Sequence, residues 1–202
     1  TLLLYAMAVL KRTLPCNFTI RAVSLDLGWG NDYTDMAAFC NSLDVPFDII
    51  PSEIGPLIFE DRKEKNPFSL CARMRRGAIN NWAHEHGCNK VALGHHMDDV
   101  IETLLMSMFY EGRIQTFAPC AYLTRSEVTV IRPMVYVAES TITKIARQLE
   151  LPLIVNKCPA DGFTTRSDMK SLLLKLMADN PLIKQRIMSG IEKDLWNQYK
   201  VQ

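Results

Sequence analysis

The run Leu93-Gly94-His95-His96-Met97-Asp98-Asp99-Val100-Ile101-Glu102-Thr103 decides the fold. Lys90 to Leu93 reads as the end of a buried strand, and Val100, Ile101, Leu104, Leu105 and Met108 recur at helical spacing on one face. An apolar strand therefore ends in a turn dense with titratable groups, and that turn opens a helix. In open parallel sheets, ligands bind in the crevice beyond the carboxyl ends of the strands. The turn also has a purely structural reading. Asp98 or Asp99 caps the helix, and Glu102 completes a capping-box-like pair that satisfies orphan amides and suits the helix dipole. Zinc on His95 and His96 is the weaker alternative, because adjacent side chains diverge too far to chelate one ion without distortion.

Working outward, residues 20–25 read as a strand. Asp26, Gly28, Gly30 and Asn31 then mark a loop before a helix over 33–43 and a strand over 47–50, a βαβ rhythm. Residues 2–12 form a helix that is apolar on most faces and stops near Pro15. After Pro51 a charged stretch runs to Pro67 as a surface loop or short helix, followed by a helix from about 71 to 86. The strand 90–93 leads into a helix over 99–110 and a loop closing near Pro119. A strand over 128–131, a helix over 140–149 that Ser140 caps, and a short apolar segment over 151–155 follow. Two tail helices within 167–196 are broken at Asn180-Pro181. This alternation predicts an α/β fold with a doubly wound parallel sheet over residues 1–166 and a helical C-terminal extension over 167–202.

With 202 residues, 48% of them apolar, the chain can bury a substantial core, and disorder is not the expectation. A net charge of +1 gives no global pull toward nucleic acid, so such a partner has to be held by local basic patches. No stretch reaches the roughly 18–20 uninterrupted apolar residues of a membrane helix. Residues 2–10 lack a basic leader and a cleavage site, and six scattered cysteines suit a reducing compartment, so a soluble cytoplasmic protein is expected. Beginning at Thr1, already inside a helical pattern, the sequence suggests an upstream segment.

Two further stretches carry chemistry. Ser69-Leu70-Cys71-Ala72-Arg73-Met74-Arg75-Arg76-Gly77 puts a thiol at an expected helix start among three arginines. Both features lower a thiol pKa, so Cys71 reads as a reactive thiolate or soft-metal ligand. The plain alternative is a small buried residue beside a solvated arginine face. Arg62, Lys63 and Lys65 add to this basic concentration, which could hold phosphates. Cys158-Pro159-Ala160-Asp161-Gly162-Phe163-Thr164-Thr165-Arg166 is a turn with a cysteine at one end and an arginine at the other. Cys16, Cys40, Cys88 and Cys120 lack chelating spacing and read as packing residues.

Together and in this order, Cys71 to Gly77, Leu93 to Thr103 and Cys158 to Arg166 resemble the tRNA 2-thiocytidine synthetase branch of the PP-loop ATP pyrophosphatases. Phe109-Tyr110-Glu111-Gly112-Arg113 and Ile131-Arg132-Pro133-Met134 also match. The resemblance implies a cytoplasmic enzyme in which ATP adenylates the C2 oxygen of a cytidine in the tRNA anticodon loop. Sulfur then displaces AMP, and Mg²⁺ offsets the phosphate charge. It implies that Leu25, Asp26 and Leu27 line the adenine, that Arg75 contacts phosphate, and that Gly94, His95, Asp98 and Asp99 lie by the nucleotide. Asp99 is expected to be essential for adenylation, and Asp99→Ala to leave the fold largely intact. Arg73, Arg76, Arg132 and Arg166 are expected on tRNA. Cys71 and Cys158 are expected to act in sulfur transfer as ligands of a 4Fe-4S cluster, with sulfur supplied by a donor such as a cysteine desulfurase. A homodimer fits related enzymes. Lysidine formation, 2-thiouridine synthesis and an inactive RNA-binding relative are the rival readings.

Two departures qualify the match. The Ser-Gly-Gly-Lys-Asp-Ser loop that grips phosphate in the family, normally just before the helix that opens this sequence, is absent, and so is the first strand. The expectation is a truncated fragment that is inactive without that anion site. The other departure is Phe68, which stands where the first cysteine of a Cys-x-x-Cys pair belongs. With only Cys71 and Cys158 matched, a persulfide-carrying pair is the alternative to a cluster.

Overall fold

The computed structural model describes residues 1–61, 67–154, 157 and 165–197. The chain divides into two compact units. One takes Thr1–Asn89, Thr124–Val128 and Ile145–Asp161; the other takes Lys90–Leu123, Thr129–Lys144 and Gly162–Gln202.

In the first unit, α1 (Leu2–Thr13) ends where Leu14 turns extended, at φ −85 and ψ 144, as a residue before proline must. Lys11 and Arg12 complement the helix dipole in its last turn. β1 (Ala22–Leu25) and β2 (Phe47–Ile50) pair in parallel, from Ala22 against Phe47 to Leu25 against Ile50, with α2 (Thr34–Ser42) as the crossover. After β2 come a single helical turn, α3 (Ile54–Pro56), and a wider π-type turn over Leu57–Asp61. The long α4 (Pro67–Glu85) packs on β1.

In the second unit, β3 (Lys90–Ala92) leads into α5 (Met97–Glu111), which Gly112 closes in the left-handed conformation at φ 63. β4 (Cys120–Leu123) and β5 (Val128–Ile131) follow, and the strand order is β3-β5-β4 with β3 and β5 parallel. After α6 (Glu139–Gln148) come α7 (Thr165–Asp179), α8 (Ile183–Gly190) and a π-type turn over Ile191–Leu195. The core joins Val100, Ile101 and Leu104 of α5 to Val135, Leu173, Met188, Ile191 and Trp196. The tail helices therefore pack into the same unit as α5.

The α/β fold class and the order of elements match the sequence expectation. The sheet differs in one respect: among the described residues it is two hydrogen-bonded sheets, β1-β2 and β3-β5-β4, rather than one. β4 was not anticipated. Several boundaries also move. β1 begins at Ala22 rather than residue 20, and α4 begins four residues before Cys71. α6 begins at Glu139, where Thr141 and Ile142 donate to the Ala138 carbonyl, so Ser140 lies inside the first turn and does not precede it. The apolar stripe of α5 stops a turn early, since Met108 is 41% exposed.

Candidate functional site

The site in the second unit is built on the turn between β3 and α5. Leu93 donates from its amide to the Ile131 carbonyl at 2.9 Å and so extends the strand pairing to the brink of Gly94. His96 is then extended, at φ −116 and ψ 179, and the helix starts. His96 Nδ1 accepts from the Asp99 amide at 3.3 Å, and Asp99 Oδ2 accepts from the His96 amide at 2.9 Å. This is a capping box with an imidazole in the usual hydroxyl position and a shorter acid in place of glutamate. It corrects the expectation that Asp98 or Asp99 is the cap with Glu102 as its partner. An imidazole nitrogen can accept as well as a hydroxyl, so the helix begins earlier and Glu102 falls beyond its first turn.

That leaves Asp98 and Glu102 buried, each 4% exposed. Asp98 Oδ2 accepts from the Glu139 amide at 2.8 Å, and Asp98 Oδ1 accepts from Lys184 Nζ. Burial opposes ionisation of Asp98, but the amide and the ammonium outweigh it and hold the carboxyl below its ordinary range. For Glu102 burial wins and pushes the carboxyl up, with the Arg166 guanidinium as a partial offset. Arg166 Nη1 donates to Asp99 Oδ1 at 2.7 Å and lies 3.2 Å from Glu102 Oε2, and its Nη2 is 3.4 Å from Thr103 Oγ1. Lys170 Nζ donates to Glu139 Oε1 at 2.8 Å, so cations from α7 and α8 face acids from α5 and α6.

His95 has different surroundings. Arg132 Nε donates to His95 Nδ1 at 3.3 Å, Arg132 Nη1 donates to the Ala118 carbonyl at 2.6 Å, and the guanidinium lies over the Phe117 ring at 4.8 Å. Burial first and the Arg132 charge second lower the His95 pKa, and a neutral ring whose Nδ1 accepts from Arg132 carries its proton on Nε2. The two adjacent histidines thus have separate tasks, and among the described residues no group of three His, Cys, Asp or Glu side chains converges on a metal position.

The first unit brings together a second set. Cys71 is 8% exposed and packs with Ile54 and Ile58, against Leu25, Leu27, Leu70 and Met74. It occupies the second turn of α4 rather than the helix start, so the dipole acts on its thiol less than the sequence suggested. Asp26 is fixed at the end of β1. Its amide donates to the Ile50 carbonyl at 2.9 Å, its carbonyl accepts from Ser52 Oγ at 2.6 Å, and its Oδ1 accepts from the Gly28 amide at 3.1 Å. Arg73, Arg75 and Arg76 lie on exposed positions of α4.

The expected residues therefore fall into two groups. Leu25, Asp26, Leu27, Cys71 and Arg75 belong to the first unit, and Gly94, His95, Asp98, Asp99, Arg132 and Arg166 to the second. Within the second, Arg166 meets Asp99 and Arg132 meets His95. Cys158 lies outside the described residues, as do Arg62, Lys63 and Lys65. Asp99→Ala is not a neutral change for the fold, since it removes the carboxylate half of the capping box and the ion pair with Arg166. Sequence reasoning missed Lys184, whose only signal was a basic residue in a tail helix, and Phe117, which looked like loop.

The chain matches the PP-loop domain over residues 1–176. The tRNA-cytidine(32) 2-sulfurtransferase of Citrifermentans bemidjiense is 34% identical over 193 residues, covering 94% of this chain and 76% of that protein. The protein of the same name from Geobacter sulfurreducens is 34% identical over 193 residues, covering 94% of this chain and 75% of its own length. The one from Syntrophotalea carbinolica is 36% identical over 196 residues, covering 94% and 74%. Among solved structures, the U34-tRNA thiolase NcsA from Methanococcus maripaludis with its 4Fe-4S cluster has the same fold. It superposes with a TM-score of 0.79 at 22% identity, over 99% of this chain and 68% of that chain.

Proposed function

The chain belongs to the PP-loop family, in the branch of the tRNA-cytidine 2-sulfurtransferases, and from that premise we propose that it is an ATP-dependent tRNA 2-thiolation enzyme. The observation that carries this reading is that Cys71, Leu25 and Leu27 belong to one hydrophobic cluster. The thiol assigned to sulfur transfer thus shares a cluster with the strand end assigned to the adenine of ATP.

In the first step the C2 oxygen of an anticodon-loop cytidine attacks the α-phosphorus of ATP, the phosphoanhydride bond breaks and pyrophosphate leaves. Mg²⁺ bound with the nucleotide offsets the charge. Leu25, Asp26 and Leu27 line the adenine, and Arg75 takes phosphate. Gly94 allows close approach of the turn that carries His95, Asp98 and Asp99. Arg73 and Arg76, exposed on α4, hold the tRNA backbone.

The resembled cluster is held by three cysteines; Cys71 and Cys158 match two of them, and Phe68 stands where the first cysteine of the Cys-x-x-Cys pair belongs. Sulfur is therefore assigned to Cys71 and Cys158 as a pair. One thiolate accepts a sulfur atom from a persulfide donor such as a cysteine desulfurase and becomes a persulfide. The terminal sulfur attacks C2, the C2–O bond breaks and AMP leaves. The second thiolate attacks the enzyme-bound sulfur, which forms a Cys71–Cys158 disulfide and frees the thiocarbonyl of 2-thiocytidine. A dithiol reductant then supplies two electrons to reset the pair. A cytoplasmic setting and a homodimer are part of the same proposal. No helix of the described residues is long and apolar enough to cross a membrane.

Nucleoside mass spectrometry of tRNA from cells lacking the gene tests the assignment. Loss of 2-thiocytidine, restored by the wild-type gene and not by Cys71→Ala, is expected. Loss of lysidine or 2-thiouridine instead, or no change in any modified nucleoside, would contradict it. Iron and acid-labile sulfide that persist in the anaerobically purified full-length protein would replace the persulfide route with a cluster.

A further inference from the structure

We propose that Lys184 of α8 is a positioning residue for the acid-bearing turn of α5, so that the C-terminal helices are a working part of the site. The inference rests on the function proposed above for Asp98 and Asp99. The geometry concerns Asp98, the more buried of the adjacent acids. Its carboxylate has one partner on each oxygen: the Glu139 amide on Oδ2 at 2.8 Å, and Lys184 Nζ on Oδ1. The Lys184 side chain is 18% exposed and that of Asp98 is 6% exposed, so the pair is shielded from water on both sides. A carboxylate buried this far keeps its charge only with a partner, and Lys184 is the side-chain cation that contacts it.

The position of Asp98 has consequences for its neighbours. The preceding residue, Met97, donates to the Val137 carbonyl at 3.0 Å, and the following residue, Asp99, is held by the His96 cap and by Arg166. The turn is thus tied to the start of α6 by one backbone bond and one amide-to-carboxylate bond, and to the tail helices by two cations. Arg166 is 41% exposed, whereas Lys184 is largely covered, so Lys184 is the tie that water substitutes least well. Losing it leaves an unpaired buried charge one residue from Asp99, and the turn has to shift toward solvent to hydrate it.

The test uses the full-length protein with tRNA and compares Lys184→Met, Lys184→Arg, Asp98→Asn and the Asp98→Asn/Lys184→Met double variant. Lys184→Met is expected to lower kcat for ATP-dependent pyrophosphate release by about tenfold or more, with KM for ATP changed by less than about threefold. Lys184→Arg is expected to recover much of the rate. In the double variant, which removes both charges, amide exchange in the first turn of α5 should be no faster than in Lys184→Met alone. Amide hydrogen exchange should rise in the first turn of α5 in Lys184→Met and return in Lys184→Arg. A rate within about twofold of wild type in Lys184→Met, or faster exchange in the α5 turn of the double variant than in Lys184→Met, would overturn the proposal. So would unchanged exchange in the α5 turn. Exchange needs no catalysis, so it separates failure of this inference from failure of the function reading. A wild-type protein that releases no pyrophosphate yet shows the exchange coupling would sink only the function reading.

Discussion

Arg166 Nη1 stands 2.7 Å from Asp99 Oδ1, across 67 residues of sequence. The last residue of the third motif thus lands on the acid of the second, and two of the stretches that carry the family resemblance form one contact. The same guanidinium neutralises Glu102, whose side chain is 5% exposed.

Arg166→Met should therefore destabilise the fold by about 1–2 kcal/mol, a range that discounts its exposed side for solvent screening. Arg166→Lys should recover part of this but not the fork that reaches the two acids through Nη1 and Thr103 through Nη2. Urea unfolding of the three proteins measures the difference. Equal midpoints for wild type and Arg166→Met would show that the ion pairs contribute nothing.

The imidazole cap of α5 is tested by replacing His96. His96→Ala leaves the Asp99 amide without its acceptor and should cost about 1 kcal/mol, whereas His96→Ser, a strong N-cap residue, should cost much less. Chemical denaturation of both variants gives the ranking, and an alanine as stable as the serine would contradict the cap.

His95 carries a pH signature. Its folded pKa lies below the ordinary histidine value, so at mildly acid pH the unfolded chain binds the proton more readily than the folded one. Its contribution to stability is thus complete above the unfolded pKa, is lost as pH falls from there toward the folded pKa, and does not change further below it. An NMR titration should place the His95 ring below the ordinary histidine value, and Arg132→Met should move it upward, as removal of a cation requires. A value above the ordinary one in the wild type would contradict the Arg132 contact.

Gly55 is fixed by a close approach. A Cβ there would meet the Trp29 ring at 2.5 Å and the Leu27 carbonyl oxygen at 2.6 Å, and the latter is backbone that cannot rotate away. Gly55→Ala is expected to cost about 1–3 kcal/mol, to displace Trp29 and to raise KM for ATP through the Leu25–Leu27 segment. Thermal unfolding and tryptophan fluorescence read the first two effects, and an unperturbed melting curve would refute the close packing.

Much of this was legible because the signals are local. Phe47–Ile50 and Val128–Ile131 are short apolar runs between turn residues, and both are strands at those positions. Val100, Ile101 and Leu104 showed their core face by spacing alone. β4 was hidden because Cys120 and Tyr122 are exposed while Ala121 and Leu123 are only half-buried, which gives no apolar run. The His96 cap was hidden because histidine is an unusual choice at a position where four other residue types lead. Lys184 was out of reach for a different reason. Its partner lies 86 residues away, and no local pattern distinguishes a lysine that will be buried against an aspartate from one on a solvated helix face.

The most direct measurement is the product of the reaction. Full-length protein, unmodified tRNA, ATP and a labelled persulfide donor under reducing conditions should give labelled 2-thiocytidine, one AMP for each sulfur incorporated, and none with Cys71→Ala. Label that appears in 2-thiouridine, AMP released without sulfur incorporation in the wild type, or full product from Cys71→Ala would contradict the account.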